Sequence, residues 1–315
     1  METLKIYRRF IPKKVKNFLW VFFWHTKIFF RHFFRHIEAS INYLLHNRDV
    51  FENELIIITT LKDEVEYLKE WIEYHKIIGV EKFYIYDNES SDNLKEFLQP
   101  YIDSGEVVYT YYPGNYAKIQ IKVIEEALRK YRNKAKWIAL IDIDEYIVPV
   151  TKDNILDAIA EIEHDLKRKI HALAINWVMY GYSGHKTRPG GLLIEKFTKH
   201  AGVDRHVKSI INPRMISQPC IHHDICLFGI PERTEKGIAV REGKLQNLSD
   251  VSIEKIRVNH YYTKSYEESV EKIKKYRAFL KIEDETLPEF DPNYLSNFED
   301  NIMEKYISRV KEAVS

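Results

Sequence analysis

Three acidic side chains, Asp142, Asp144 and Glu145, lie between two apolar runs in KWIALIDIDEYIVP, residues 136–149. The first run, WIALI, has the length and composition of a buried strand. Carboxylates that close such a strand are costly to bury unless a cation compensates them. Alternate residues of a strand face one side, so both Asp side chains are predicted to face one ion, with Ile143 in the core. Carboxylate oxygens are hard ligands, so the pattern predicts a divalent cation carrying a diphosphate here.

Other polar residues stand where predicted strands end. Thr60 and Lys62 follow the first strand of the body, and Asp87 and Asn88 close the second. Ligands of open α/β sheets bind at the carboxyl ends of the strands, so these four residues are predicted to touch a nucleotide. A turn built from Asp, Asn and Ser is the alternative for the second pair.

The elements that must position these residues alternate between strand and helix patterns up to residue 150, and the pattern is mixed beyond it. Such alternation predicts a parallel, Rossmann-like sheet. The predicted strands are 54–60, 82–86, 107–112, 137–141, 171–179, 192–196, 207–212 and 257–262. The predicted helices are 64–78, 94–101, 119–131, 153–169, 265–280 and 297–314, with Asp92 and Asp153 as N-caps of the second and the fourth.

Charge is unevenly distributed along the 315 residues, although the chain as a whole carries only +1. Residues 1–50 hold ten Lys and Arg against three Asp and Glu, so the rest of the chain is net acidic. An acidic body argues against nucleic acid as a partner. The pattern predicts a basic aromatic helical extension, residues 1–50, joined to one α/β domain, residues 51–315.

The segment 18–45 is rich in Phe and Trp, with Lys27, Arg31 and Arg35 at the four-residue spacing of one helix face. It holds too many charges for a transmembrane span. Two interpretations stay open: a helix lying on an anionic leaflet, or a helix packed against the domain or a partner. The first predicts a cytoplasmic protein held peripherally on the inner face of the cell membrane. Two cysteines, Cys220 and Cys226, fit a reducing compartment.

Three stretches together resemble glycosyltransferase family 92 and its bacterial relatives, close to family-2-like transferases. They are LKDEVEYLKEWIEYHKIIGVEKFYIYDNESSD (61–92), WIALIDIDEYIVP (137–149) and NHYYTKSYEE (259–268). NWVMYGYSGH (176–185) and VKSIINP (207–213) are also similar to the family pattern. The resemblance covers roughly residues 54–280. One position departs from it, because the Asn-Glu pair usual in the first loop is Asp63-Glu64 in this chain.

The resemblance implies a GT-A fold, a mixed sheet flanked by helices. It also implies an inverting transferase that uses a nucleotide-diphosphate sugar, expected to be a UDP-sugar, with Mn²⁺ or Mg²⁺ neutralising the leaving diphosphate. The acceptor is expected to be a glycan or lipid-linked glycan in surface polysaccharide synthesis. Residues 51–150 would form the nucleotide-sugar half, and residues 151–315 the acceptor half with the C-terminal helices.

Several residue roles follow from the resemblance. Metal or phosphate contact is implied for His260 and, with less support from the motif, His222, with an interior hydrogen-bonded histidine as the alternative for both. Donor contact is implied for Glu64, Gln120 and Lys264, with a solvated helix face as the alternative for Gln120. An inverting enzyme also needs a base for the acceptor hydroxyl. The candidates for that base are Asp224, which adjoins two histidines, Glu195 and Asp204.

Two other functions stay open. A nucleotidyltransferase of similar topology would carry a Gly-rich phosphate loop after its first strand, and ITTLKDEVEYL contains no glycine. A non-catalytic glycan-binding protein would not need the intact Asp142 and Asp144. Hydrolases of two common classes are disfavoured, since neither G-x-S-x-G nor H-E-x-x-H is present.

Overall fold

A mixed β-sheet with helices on both faces organises the chain. The computed structural model describes residues 30, 33–46, 50–218, 225–240, 243–280 and 287–315. The strands are β1 (Asn53–Leu61), β2 (Lys82–Asp87), β3 (Val107–Tyr111), β4 (Ala135–Leu140), β5 (Glu145–Pro149), β6 (Ala172–Tyr180), β7 (Lys199–Ile211), β8 (Ile216–Gln218), β9 (Ile225–Cys226), β10 (Ile256–His260) and β11 (Phe298–Glu299). The helices are α1 (33–45), α2 (Val65–Ile77), α3 (Leu94–Asp103), α4 (Tyr116–Tyr131), α5 (Ile155–Leu166), α6 (Leu193–Lys196), α7 (Tyr266–Leu280) and α8 (Glu304–Val314).

The first half of the sheet is parallel. Strands β3, β2, β1 and β4 lie side by side in that order, all running the same way. Alternate residues of β1 enter two different cores: Leu55 and Ile57 pack with Trp71 of α2, whereas Ile56 and Ile58 pack with Val123 of α4. A strand covered on both faces must be apolar throughout, which explains the run LIII.

The second half is mixed. β7 runs antiparallel between β4 and β6, β10 lies parallel to β6, and β5 forms the edge antiparallel to β10. β11 adds to β7, while β8 and β9 pair apart from the main sheet. The mixed α/β architecture expected from the sequence is confirmed.

The Asp-x-Asp segment differs from its predicted conformation. β4 ends at Leu140 and β5 begins at Glu145, so Asp142 and Asp144 lie in a turn rather than on a strand. Their shared orientation therefore does not come from strand alternation, although Ile143 is buried as expected. The turn joins two strands that are neighbours in sequence but are separated by β7, β6 and β10 in the sheet.

Two predicted caps are wrong. Asn154, not Asp153, precedes α5, and its side chain accepts a hydrogen bond from the backbone N–H of Asp157. Asp92 does not cap α3; its carboxylate accepts from the backbone N–H of Val65 at the start of α2.

Other predicted elements also differ from the structure. Residues 193–196 form one helical turn rather than the predicted strand, and β5 and β11 were not predicted. The last helix begins at Glu304, whereas the sequence pattern places its start at residue 297.

Helix α1 packs on the body through one face. Arg35 makes two hydrogen bonds to the carboxylate of Glu125, at 2.7 and 2.6 Å, and Asn42 exchanges two with Asn133. Ala39 is buried in a small apolar cluster of the body. In the part of the chain that the structure describes, no helix has the length and apolarity needed to cross a membrane.

Candidate active site

The turn after β4 is held by a buried lysine. Lys208 of β7 places its Nζ 2.7 Å from Asp142 Oδ2 and 3.4 Å from Glu145 Oε2. Glu145 Oε2 also accepts a hydrogen bond from the backbone N–H of Asp142, at 3.0 Å. Burial disfavours the ammonium, but the two carboxylates outweigh it and raise the pKa of Lys208. The lysine is therefore a permanent cation beneath the turn.

Glu145 is fully buried directly behind the turn. Burial raises its pKa to about 7, and Lys208 opposes that rise. On its other side, Glu145 Oε1 lies 3.9 Å from Nδ1 of His260, and neither of these buried atoms has a hydrogen-bond partner among the described residues. Two unsatisfied polar atoms facing each other indicate a place for a further polar group.

Asp144 forms the second half of the ionic cluster. Its Oδ2 lies 3.0 Å from Nζ of Lys272 on α7 and 3.5 Å from Nε2 of His260 on β10. Burial opposes its ionisation, but Lys272 and His260 outweigh burial and hold the pKa of Asp144 well below its usual range. Burial also disfavours the imidazolium of His260, yet Asp144 and Glu145 raise its pKa. Each of the two groups thus favours the charged form of the other.

A small cavity opens beside this cluster. Asp142 and Lys208 line it together with Thr60 at the end of β1 and Gln120 of α4. The structure therefore brings three predicted donor-binding residues, Thr60, Gln120 and Asp142, around one space. Their contact with a donor stays a prediction.

Glu64 and Lys264 pair with each other across the rim of the site. Their side chains lie 2.9 Å apart, and the Lys264 ammonium sits 4.1 Å from the centre of the Tyr67 ring. Lys264 is near enough to help lower the pKa of Asp144. Lys62 is exposed just after β1. These residues border the cluster without entering it.

Asp87 and Asn88 are occupied by local hydrogen bonds. Asp87 accepts from Tyr109 Oη at 2.6 Å and from the Ser90 N–H at 2.8 Å. The Asn88 amide donates to two backbone carbonyls of residues 112 and 114. Asp87 and Asn88 thus stabilise the loop after β2, and their contact with a nucleotide stays a prediction.

The three candidate bases fall in different places. Asp204 hydrogen-bonds His206, whose ring stacks on Trp177 at 5.4 Å, and Trp177 contacts the His260 ring at 4.5 Å. Glu195 lies on α6 and pairs with Lys311 of α8 at 2.9 Å. Asp224 and the proposed metal ligand His222 lie outside the described residues. Only Asp204 is linked by contacts to the cluster among the candidates that the structure describes.

Two residues of the cluster are absent from the sequence prediction. Lys208 had a detectable signal, a lysine inside the apolar stretch VKSII, because a charge in such a strand needs a partner. Lys272 had none, since it is one of several lysines in α7. Its partner Asp144 lies 128 residues away in sequence.

The side chains of the cluster offer few ligands for a metal ion. No group of three or more His, Cys, Asp or Glu side chains is arranged to hold one within the described ranges. Mg²⁺ commonly takes only one or two protein carboxylates and completes its shell with substrate phosphates and water. The Asp144 carboxylate beside Nε2 of the His260 imidazole fits such a partial site.

Known sequences are similar to this chain over much of the body. The profile of glycosyltransferase family 92 matches residues 58–298. A family 92 protein of Ricinus communis is 28% identical over 174 residues, covering 54% of this chain and 31% of its own. One from Oryza sativa subsp. japonica is 29% identical over 54% of this chain and 29% of its own. A beta-1,4-galactosyltransferase of Caenorhabditis elegans is 24% identical over 49% of this chain and 37% of its own. The chain thus spans about a third of the length of these relatives.

Proposed function

The chain belongs to glycosyltransferase family 92, and from that premise we propose that it moves a sugar from a nucleotide-diphosphate donor to a glycan or lipid-linked glycan. The proposed donor is a UDP-sugar and the proposed setting is surface polysaccharide synthesis, in the cytoplasm at the inner face of the cell membrane. The observation that carries the proposal is the ionic cluster of Asp142, Asp144 and Lys208 beside a cavity at the end of β4.

We propose Asp144 and His260 as the protein ligands of Mn²⁺ or Mg²⁺, with His260 releasing its proton so that the neutral imidazole binds the ion. When bound, the ion would supply the positive charge that stabilises the leaving diphosphate. In the structure Lys272 occupies Oδ2 of Asp144, so this ammonium must move aside when the oxygen takes a new partner. Lys272 is half-exposed and long, which allows that movement.

Asp142 and Lys208 are proposed to shape the donor side. Lys208 holds the Asp142 carboxylate at the wall of the cavity, and Thr60 and Gln120 add neutral polar side chains to the same lining. Such groups suit the hydroxyls and the amide edges of a nucleoside. Fixing these side chains before the donor arrives reduces the ordering cost of binding.

For inversion, a base must accept the proton of the attacking acceptor hydroxyl. We propose Asp204 for this role among the described candidates, because its contact chain through His206 and Trp177 reaches His260. Glu195 is committed to Lys311 on another part of the molecule. Its own side chain would have to leave that ion pair to act as a base.

Calorimetry with UDP and Mn²⁺ tests the donor proposal. We expect Asp144→Asn to weaken binding of the UDP–Mn²⁺ pair at least about tenfold, since a metal ligand is lost. Asp103→Asn, an exposed acid on α3, is the matched control and should bind as the wild type does. Equal affinity of Asp144→Asn and wild type would show the metal assignment to be wrong.

Sugar transfer is tested separately by measuring UDP release from a panel of UDP-sugars. Galactose is the first sugar to try, because one relative is named a beta-1,4-galactosyltransferase. Release that requires Mn²⁺ or Mg²⁺ and falls in Asp144→Asn would support the proposal. Release from no nucleotide-sugar, with or without glycan acceptors, would contradict it.

A further inference from the structure

The face of α1 that points away from the body is apolar. At 100° per residue, the contacts of Arg35, Ala39 and Asn42 with the body define one side of the helix. Ile37, Ile41 and Leu44 lie opposite to these contacts, Phe34 and Leu45 lie on the flank of the helix, and all five are exposed. Leu44 and Leu45 are 73% and 74% exposed, far more than a helix in a core would allow. We call these five residues the outer stripe.

The outer stripe is held in a fixed orientation by the body. The bidentate Arg35–Glu125 contact and the Asn42–Asn133 pair lie two helical turns apart on the inner side. Two attachment points prevent the helix from rotating about its own axis. The helix therefore presents the stripe outward rather than folding it inward.

A basic cleft lies beside α1. It has a volume of about 440 Å³, and its lining includes Arg168, Lys169, His171 and Arg233. Ile230 belongs both to this lining and to the apolar residues packed under Ala39 of α1. The cleft therefore adjoins the inner side of the helix, at the end of β6 opposite to the candidate active site.

The positive charge of the N-terminal sequence favours an anionic partner for this surface. Residues 1–29, which lead directly to α1, contain seven Lys and Arg and a single acid, Glu2. The rest of the chain beyond residue 50 is net acidic, so basic residues are concentrated in the sequence that precedes α1. A second copy of the chain would offer the same positive charge to the stripe, whereas an anionic leaflet offers the opposite charge.

We propose that the protein docks on an anionic lipid leaflet through the outer stripe of α1, with a lipid phosphate headgroup in the neighbouring basic cleft. The stripe enters the boundary between headgroups and acyl chains, as amphipathic interfacial helices do. Arg168 at the cleft pairs with the phosphate, and Lys169, whose Nζ lies 2.7 Å from Glu163 Oε2 in the structure, exchanges that carboxylate for the phosphate. The proposal rests on the membrane location proposed above, but it is independent of sugar transfer.

Co-sedimentation of the full chain with vesicles tests this proposal. Wild type is expected to bind phosphatidylcholine vesicles containing 30% phosphatidylglycerol, and to bind pure phosphatidylcholine vesicles at least about tenfold less tightly. The triple variant Ile37→Ser, Ile41→Ser and Leu44→Ser should lose most binding to anionic vesicles. Its matched control, Tyr111→Ser with Leu248→Ser, removes equally exposed apolar groups elsewhere and should bind as wild type does.

The cleft is tested by Arg168→Glu with Lys169→Glu. Two charge reversals near the leaflet should weaken binding to anionic vesicles by about tenfold or more, and leave weak binding to neutral vesicles unchanged. Lys274→Glu with Lys275→Glu, two exposed lysines of α7, is the control and should keep the anionic preference.

Four outcomes would overturn the proposal. Two concern binding by the stripe: wild type that does not bind anionic vesicles, or a stripe variant that sediments with them like wild type. The other two are a cleft variant that keeps the full anionic preference, and a stripe that only mediates self-association. The last would show as a wild-type dimer, a monomeric stripe variant and no vesicle binding by either. UDP–Mn²⁺ binding and thermal unfolding are measured on every variant. A docking failure is thereby separated from misfolding and from failure of the donor proposal.

Discussion

Lys208 compensates two carboxylates at the bottom of the candidate site. It lies on β7 between apolar neighbours, and its ammonium is almost fully buried between Asp142 and Glu145. Burying a charge is tolerated only when partners replace the lost water. The sequence marks the carboxylates as a ligand site and Lys208 as a charge that needs a partner, but it does not pair them, because 66 residues separate Lys208 from Asp142.

Lys208→Met tests the compensation. Removing one partner of a buried ion pair typically costs about 3–5 kcal/mol, because the other charge is left without a partner. We therefore expect the free energy of unfolding in urea to fall by that order. The double variant Lys208→Met with Glu145→Gln should lose less than the sum of the two single losses, since the residual charge is removed. If the two losses in free energy of unfolding simply added in the double variant, Lys208 and Glu145 would not be coupled.

At the scale of elements, α6 shows how a distant side chain overrides a local pattern. The apolar residues of 192–196 predict a strand, but Glu70 of α2 accepts hydrogen bonds from the N–H groups of Leu193 and Ile194, at 2.7 and 3.0 Å. A carboxylate at the first turn satisfies donors that a helix leaves free. The partner is more than 120 residues away, so no local signal announces it.

The same carboxylate predicts a pH dependence of stability. Burial raises the pKa of Glu70 from 4.5 to about 7, and the two N–H groups oppose that rise. The folded protein thus keeps a proton that the unfolded chain releases, and stability from this group is lost as pH rises from 4.5 through 7. Glu70→Gln cannot ionise. The free energy of unfolding of Glu70→Gln minus that of wild type should therefore rise by about 2–3 kcal/mol from pH 5 to pH 8.

Urea unfolding at both pH values measures that difference. Glu66→Gln, an exposed glutamate on the same helix, serves as control and should show no change with pH relative to wild type. A constant difference between Glu70→Gln and wild type from pH 5 to pH 8 would show that Glu70 ionises normally.

At the scale of the whole molecule, local patterns predicted most elements but not their neighbours. The alternation of strands and helices in residues 54–150 indicates the parallel half of the sheet, and β1 to β4 form it. The insertion of β7 between β4 and β6, and the position of β5 at the far edge, are decided by pairings between distant segments. Such pairings leave no periodicity in the sequence. The Asp-x-Asp turn is found where those two halves join.

Helix α1 depends on the body for its stability. It has about 13 residues, a length at which isolated helices are marginal in water. We expect Glu125→Ala with Asn133→Ala to raise deuterium uptake in residues 33–46 by removing its polar attachments. Exchange in β1 and β4 should stay as in wild type. Unchanged uptake in α1 would mean that Ala39 and its apolar contacts hold the helix without these polar attachments.

The near balance of charge in the ionic cluster affects how metal and donor bind. Asp142 and Asp144 face the ammonium groups of Lys208 and Lys272, and Glu145 faces His260, so the site is already almost electrically neutral. A divalent ion arriving alone meets these cations, and a diphosphate arriving alone meets the carboxylates. A one-to-one complex of the two has little net charge and disturbs the balance least. Metal and donor are therefore expected to bind synergistically, each raising the affinity of the site for the other by the same factor.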